Sequence, residues 1–335
     1  MTHQTTLPWN DAGWLDTTAA WIDERLDYQG ISRTGDLEPL HERPWAAVVR
    51  IPTTAGTLYF KAVLPRLSHE IALSEALARW RPEDVLPVIA SDTTRHWMLL
   101  PDGGTLLRGV IRADKQISHW QQLLPHYARL QIACAERVPD MLRRGVPDRR
   151  LASLPAHLDR LLHDRAALHA GHEHGLTDDE ITDLKARRAR VAELCRELAA
   201  FELPESVHHG DLHDGNIFIR TAKPPHYRLF DWGDASIAHP FFSLRTAYVS
   251  AETSLGLDEG APELDLLRDA YLQPWTAYAA PEELRRAFAV SQPLASLSSA
   301  LSWDYAIASL PEALRAEYAI PVPALLREMR DTLPL

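Results

Sequence analysis

The segment Val207-His208-His209-Gly210-Asp211-Leu212-His213-Asp214-Gly215-Asn216-Ile217-Phe218-Ile219 gathers acids, imidazoles and one amide in a loop that runs into an apolar strand. Fifteen residues after Asn216, Asp231 ends a second apolar stretch in Leu229-Phe230-Asp231-Trp232-Gly233-Asp234. Pairing of the two strands would bring the side-chain oxygens of Asn216 and Asp231 together, a hard-oxygen environment suited to Mg2+. Asp211 is then left free to meet a substrate hydroxyl. With 16 His in the chain and Asn at positions 10 and 216 only, random placement yields His-x-Asp-x4-Asn roughly 0.007 times, so the spacing carries information.

Residue usage adds a second clue. Of 35 cations only Lys61, Lys115, Lys185 and Lys223 are lysine. Where Arg and Asp are the default choices, a lone Lys or Asn marks a position the default does not fill. Lys61 is the only lysine among the first 114 residues and lies inside the strand pattern Leu58-Tyr59-Phe60-Lys61-Ala62-Val63.

These groups need elements to hold them. Leu15, Ala19, Ile22 and Leu26 recur at helical spacing. Ala46–Ile51 and Thr57–Val63 read as a β-hairpin around Pro52-Thr53-Thr54-Ala55-Gly56, and 67–80 reads as a helix. Val85–Ala90 and Arg95–Leu100 read as two further strands, ending at Pro101-Asp102-Gly103-Gly104. Beyond residue 105 the pattern is helical near 118–136, 155–170 and 178–201, with Thr177-Asp178-Asp179-Glu180 as a capping box. A loop-and-strand region over roughly 206–233 and a helical tail complete the chain, with the tail's first helix starting near Pro240. The organisation is a small β-rich lobe (1–100), a connector, and a large helical lobe (101–335) that carries the 206–234 loop region.

Composition narrows the class. With 46% apolar and 24% charged residues in 335, the chain is an ordinary globular one. No run approaches a membrane span, and Met1-Thr2-His3-Gln4 begins no secretion signal, so a soluble, cytoplasmic protein is expected. A net charge of −11 lacks the basic footprint of a nucleic-acid binder. Cys134 and Cys195 form no metal or redox motif and read as buried thiols. His163, His169, His172 and His174 lie in a Gly-containing connection without a Cys partner and read as a solvated loop.

The His209-Gly210-Asp211-x4-Asn216 segment with Asp231 resembles the aminoglycoside phosphotransferase/choline kinase superfamily, relatives of the protein kinases. The resemblance covers roughly residues 36–240. It implies an α+β, two-lobed protein-kinase-like fold with ATP in the cleft, Asp211 as the catalytic-loop aspartate, His209 as the loop histidine, and Asn216 and Asp231 as Mg2+ ligands. His209 itself reads as a hydrogen-bonding partner rather than an acid or base. Lys61 matches the lysine that holds the α- and β-phosphates, and a helix Glu should hold that lysine. Resemblance to the family's Glu-Ala-x-x-Leu-like helix implies Glu70 in His69-Glu70-Ile71-Ala72-Leu73, and Glu75, nearly one and a half turns away, does not share its face. Such pairing matters in a cleft: two unit charges 4 Å apart gain about 1 kcal/mol in water but about 4 kcal/mol at an effective dielectric near 20.

Met98-Leu99-Leu100-Pro101 falls at the expected interlobe hinge, with Met98 and Leu100 meeting the adenine edge through their backbones. One departure stands out. The turn expected to cover the phosphates, near Glu42-Arg43-Pro44-Trp45, contains no glycine. The implied activity is ATP- and Mg2+-dependent phosphorylation of a small-molecule hydroxyl acceptor on an amino sugar, amino alcohol or similar metabolite. Trp303-Asp304-Tyr305, and Trp275 with Tyr278, read first as core packing. Their functional alternative is an aromatic-plus-carboxylate pocket for an amine. From another class, the alternative is a catalytically silent nucleotide-binding module on the same fold. The presence of every Lys, Asp and metal-site position favours the enzyme.

Overall fold

The computed structural model describes residues 7–220, 224–308 and 310–333, and of His41, Glu42 and Ala313 the backbone only. The N-terminal tetrapeptide and Lys223 therefore lie outside the described residues. The first lobe holds α1 (Trp14–Tyr28), β1 (Glu38–Arg43), β2 (Ala46–Thr53), β3 (Gly56–Val63), α2 (His69–Trp80), β4 (Ala90–Asp92) and β5 (Trp97–Pro101). The five strands form one antiparallel sheet in the order β1-β2-β3-β5-β4.

Strand alternation gives this sheet two different faces. Ala47, Val49, Ile51, Leu58, Phe60 and Leu99 pack with Trp21, Ile22 and Leu26 of α1. Lys61 pairs in register with Val48 on one side and Met98 on the other, which puts all three on the opposite face. Phe60 meets Trp21 and Trp97 edge to face at 5.8 and 5.4 Å, so β3 is rigidly seated beside Lys61.

The second lobe is helical: α3 (Leu107–Asp114), α4 (Ser118–Cys134), α5 (Val138–Arg143), α6 (Leu154–Leu161), α7 (Asp178–Ala186) and α8 (Arg188–Ala199) precede the strands. β6 (Ser206–His208), β7 (Ile217–Arg220), β8 (His226–Leu229) and β9 (Ser236–Ala238) follow, then α9 (Ser243–Leu255), α10 (Glu263–Leu272), α11 (Pro281–Ile307), α12 (Glu312–Tyr318) and α13 (Pro321–Thr332). β6 pairs with β9 and β7 with β8, each antiparallel. The tail does not stay with this lobe: Ile307, Leu310 and Ala319 join the core of the small sheet. Among the described residues no helix is long and apolar enough to cross a membrane.

Three expectations change. Val85–Ala90 is not a strand: Pro87 cannot donate to a ladder, and the segment crosses between lobes with Val85 bridging Leu229. The helix expected over 155–170 ends at Leu161, because the Asp164 carboxylate accepts the amides of Ala166 and Ala167 and turns the chain. The 178–201 helix breaks at Arg187 into α7 and α8, with neither glycine nor proline there. The capping box forms as expected, Thr177 Oγ1 accepting the Glu180 amide at 3.2 Å and Glu180 Oε2 accepting the Thr177 amide at 2.9 Å. Both cysteines are buried thiols.

Candidate active site

A cavity of about 660 Å³ opens between the cleft face of the small sheet and the loops around β7 and β8. Lys61 enters it from the sheet. Its Nζ lies 2.7 Å from Glu70 Oε1 and 2.7 Å from Asp231 Oδ1. Burial alone would lower the lysine pKa, but the attraction of Asp231 and Glu70 outweighs it and holds the ammonium above its ordinary range. Burial pushes the Glu70 carboxyl up to about 7 against the pull of Lys61. Glu75 instead accepts from Ser91 Oγ at 2.6 Å.

Asp231 adopts φ +63°, a left-handed conformation that a non-glycine residue reaches only when its surroundings hold it there. Trp232, fully buried, anchors the next position and lies 4.5 Å from the His209 ring. That ring is a brace. Its Nε2 donates to the Phe230 carbonyl at 3.0 Å, while Nδ1 accepts the Asp211 amide at 3.4 Å. Burial lowers its pKa, in keeping with a neutral imidazole. Gly210 has φ +81°, and a Cβ there would sit 2.1 Å from the Asp234 carbonyl oxygen. Only glycine lets the loop carrying Asp211 approach the segment carrying Asp234 so closely.

Ile217 pairs with Leu229, so Asn216 and Asp231 stand at the same end of the β7–β8 hairpin. Asn216 Nδ2 donates to the Asp211 carbonyl at 3.0 Å and to Asp211 Oδ2 at 3.1 Å. Its main-chain carbonyl accepts the Phe230 amide at 3.2 Å, which ties the loop to the end of β8. Asp234 adds a third carboxyl. Burial, then the charges of Asp211 and Asp231, push it up to about 7, with Arg149 and Lys61 opposing. A crowded set of hard oxygens with a surplus of negative charge fits a divalent cation such as Mg2+. Among the described residues no three His, Cys, Asp or Glu side chains form a metal cage, the His169–His174 stretch included. One carboxylate and one amide oxygen suit an ion that keeps phosphate and water ligands.

Two arrangements here had no obvious sequence signal. Arg108 of α3 binds Asp214 Oδ1 at 2.6 Å, and its guanidinium fills the space a side chain at Gly215 would need. Asp214 is buried and its amide donates to Ser250 Oγ, so α3 and α9 clamp the loop from both sides. Phe218 and Phe230 stack at 4.6 Å along the cavity, and a Cβ on Gly103 would lie 2.1 Å from the Phe218 ring.

One placement is corrected, and the tail aromatics divide between core and cavity. Leu100 and Pro101 line the cavity, but Met98 does not. Met98 is paired on both edges, to Lys61 and to Ser91, and its side chain packs with Ala46, Val63 and Ile71, so its backbone has nothing left for an adenine edge. Of the tail aromatics, Trp303 lines the cavity while Asp304 is turned away toward Arg315. Tyr305 donates its hydroxyl to the Arg66 carbonyl, and Trp275 is fully buried against Phe241 and Tyr271.

The two-lobed architecture is similar to that of solved kinases. An ethanolamine kinase of Plasmodium vivax superimposes with a TM-score of 0.59 at 11% identity, over 96% of this chain and 91% of that one. A choline kinase of Streptococcus pneumoniae gives 0.56 at 13% identity, over 92% and 99%. An aminoglycoside phosphotransferase of Streptomyces rimosus, solved with ADP and streptomycin, gives 0.53 at 16% identity, over 85% and 98%. At these identities the likeness is one of fold, and it bears out the protein-kinase-like architecture expected from the loop motif. No curated protein sequence matches the chain. A family model does match, over residues 42–285, from the glycine-free turn to the start of the long tail helix: the chain belongs to the phosphotransferase enzyme family.

Proposed function

We propose that the chain transfers the γ-phosphate of ATP, with Mg2+, to a hydroxyl of a small amine-bearing acceptor such as an amino alcohol or amino sugar. The observation that carries this reading is the convergence in one cavity of Lys61, tethered by Glu70, with the Asp211–Asn216 loop and Asp231. Phosphoryl transfer needs mostly positioning and charge neutralisation, which such a set supplies.

Lys61 binds the α- and β-phosphates, and Glu70 keeps its ammonium from swinging away. Asn216 and Asp231 are the ligands for Mg2+, which when bound neutralises charge on the phosphates. Asp211 orients the acceptor hydroxyl and takes its proton. His209 holds the Asp211 backbone in place. Asp234, facing the same cavity as the Trp303 ring, offers a carboxylate and an aromatic face to an ammonium group. The ethanolamine kinase, the choline kinase and the streptomycin-bound phosphotransferase support an amine-bearing acceptor.

The test is ADP release across a panel of amino alcohols and amino sugars, with wild type against Asp211→Asn. Turnover should fall by about 10²–10⁴-fold in the variant while ATP affinity is retained. Unchanged turnover removes Asp211 from the chemistry. ATP binding without turnover of any acceptor assigns the chain to silent nucleotide-binding proteins instead.

A further inference from the structure

The cavity is short of positive charge, and one cation in it is unclaimed among the described residues. Glu70, Asp102, Asp211, Asp231 and Asp234 line it, against Arg43, Lys61 and Arg245. Lys61 is held between two carboxylates, and Arg245 is engaged by both oxygens of Glu328. Arg43 pairs with no carboxylate among the described residues. A nucleoside triphosphate brings several more negative charges into this space, so the unclaimed guanidinium is the group with most to gain from it.

Its position suits that partner. Arg43 ends β1 opposite Ala46, which in turn stands opposite Val63. Residues in register share a face, so Arg43 lies on the cleft face with Lys61, two strands across and two residues along. Standard sheet spacings put their Cα atoms about 12 Å apart. Two long basic side chains at that separation on one face bracket a polyphosphate.

The turn itself explains why a side chain is needed. A glycine-rich turn meets phosphate with successive backbone amides. The Pro44-Trp45 turn has no glycine, and Pro44 has no N–H to give. The turn is also fastened by its own tryptophan: the Trp45 ring meets Trp303 and Tyr318 edge to face at 5.9 and 5.3 Å. A turn so anchored cannot wrap its backbone around a ligand, whereas the exposed Arg43 side chain beside it can reach one.

We infer that Arg43 is a phosphate-binding residue, its guanidinium taking the terminal phosphates of the nucleotide in place of a glycine-rich amide cradle. The inference rests on the reading of this cavity as the ATP site.

Calorimetric titration of the full chain with ATP, with Mg2+ present, and separately with adenosine, tests it in wild type and in Arg43→Gln. Because Arg43 is exposed, the melting temperature should not move. The expected result is ATP binding weakened about tenfold or more, as for a lost charge-assisted hydrogen bond, with adenosine binding unchanged. ATP affinity within about twofold of wild type would overturn the inference, since a charged contact is worth more than that. Equal weakening of ATP and adenosine would also overturn it, by showing a general disturbance of the cavity. Wild type that binds no ATP would reject the nucleotide reading itself, a result distinct from either.

Discussion

Lys61 and Asp231, 170 residues apart in sequence, are joined by a 2.7 Å ion pair. The contact draws the small sheet and the β8 end of the large lobe onto one charge. Glu70 shares that charge from α2 and is itself almost wholly out of water. Removing the lysine therefore leaves a buried carboxyl without its cation.

Lys61→Met should make stability fall with rising pH more steeply than in wild type. The Glu70 carboxyl, already at about 7 through burial, rises further once Lys61 is gone. A carboxyl whose folded pKa exceeds its unfolded value contributes stability below the unfolded pKa, and that contribution is lost as pH climbs through the folded one. Loss in wild type runs from about pH 4.5 to about pH 7, and in the variant it extends to higher pH. Urea midpoints measured from pH 5 to 9 check this; parallel curves for the two proteins would contradict it.

Acceptor capture should weaken in acid. With its carboxyl at about 7 in the free protein, Asp234 loses its charge as pH drops below neutrality. For an amine-bearing acceptor kcat/KM, which reports the free enzyme, should decline below about pH 7. In Asp234→Asn the plateau should be lower and that limb absent. Retention of the limb in the variant assigns it to another group.

His209→Gln separates bracing from proton transfer. The ring is buried, neutral and occupied at both nitrogens by backbone groups. The substitution should lower kcat about 10–100-fold through misplacement of Asp211, while ATP affinity and the pH profile keep their shape. A lost pH limb would instead make the imidazole a proton carrier.

Gly103→Ala should act on the Phe218 side of the cavity, which under the proposed function takes the nucleotide. Its new Cβ would lie 2.1 Å from the Phe218 ring, so the Phe218–Phe230 stack must shift. Overpacking of this kind costs about 1–3 kcal/mol. The KM for ATP should rise while that for the acceptor stays constant; equal changes in both would place the effect elsewhere.

That the central polar groups meet was legible because chemistry fixes residue types and spacing. His209, Asp211 and Asn216 come from one short loop, and Lys61 stood out as a lone lysine in a strand. The choice of Glu70 over Glu75 came from the family resemblance, helix geometry saying only that the two cannot share a face, and Lys61 lies 2.7 Å from Glu70. What stayed hidden depends on tertiary neighbours. Met98 and Leu100 look alike in sequence, and only the β4 strand ending short of Leu100 distinguishes them. Asp304 sits beside Trp303 yet faces the other way along the helix. The Arg108–Asp214 clamp joins positions 106 residues apart with no shared pattern. The early stop of α6 came from one aspartate capturing two amides, a local competition that apolar periodicity cannot report.

Ile307, Leu310 and Ala319 complete an apolar cluster otherwise built from residues 9–99. During vectorial synthesis the first lobe therefore waits: its sheet and α1 lack part of their interior until the ribosome has passed residue 319. A fragment ending after β5 would emerge with that surface bare and prone to self-association, so the small lobe of this enzyme is not a detachable module.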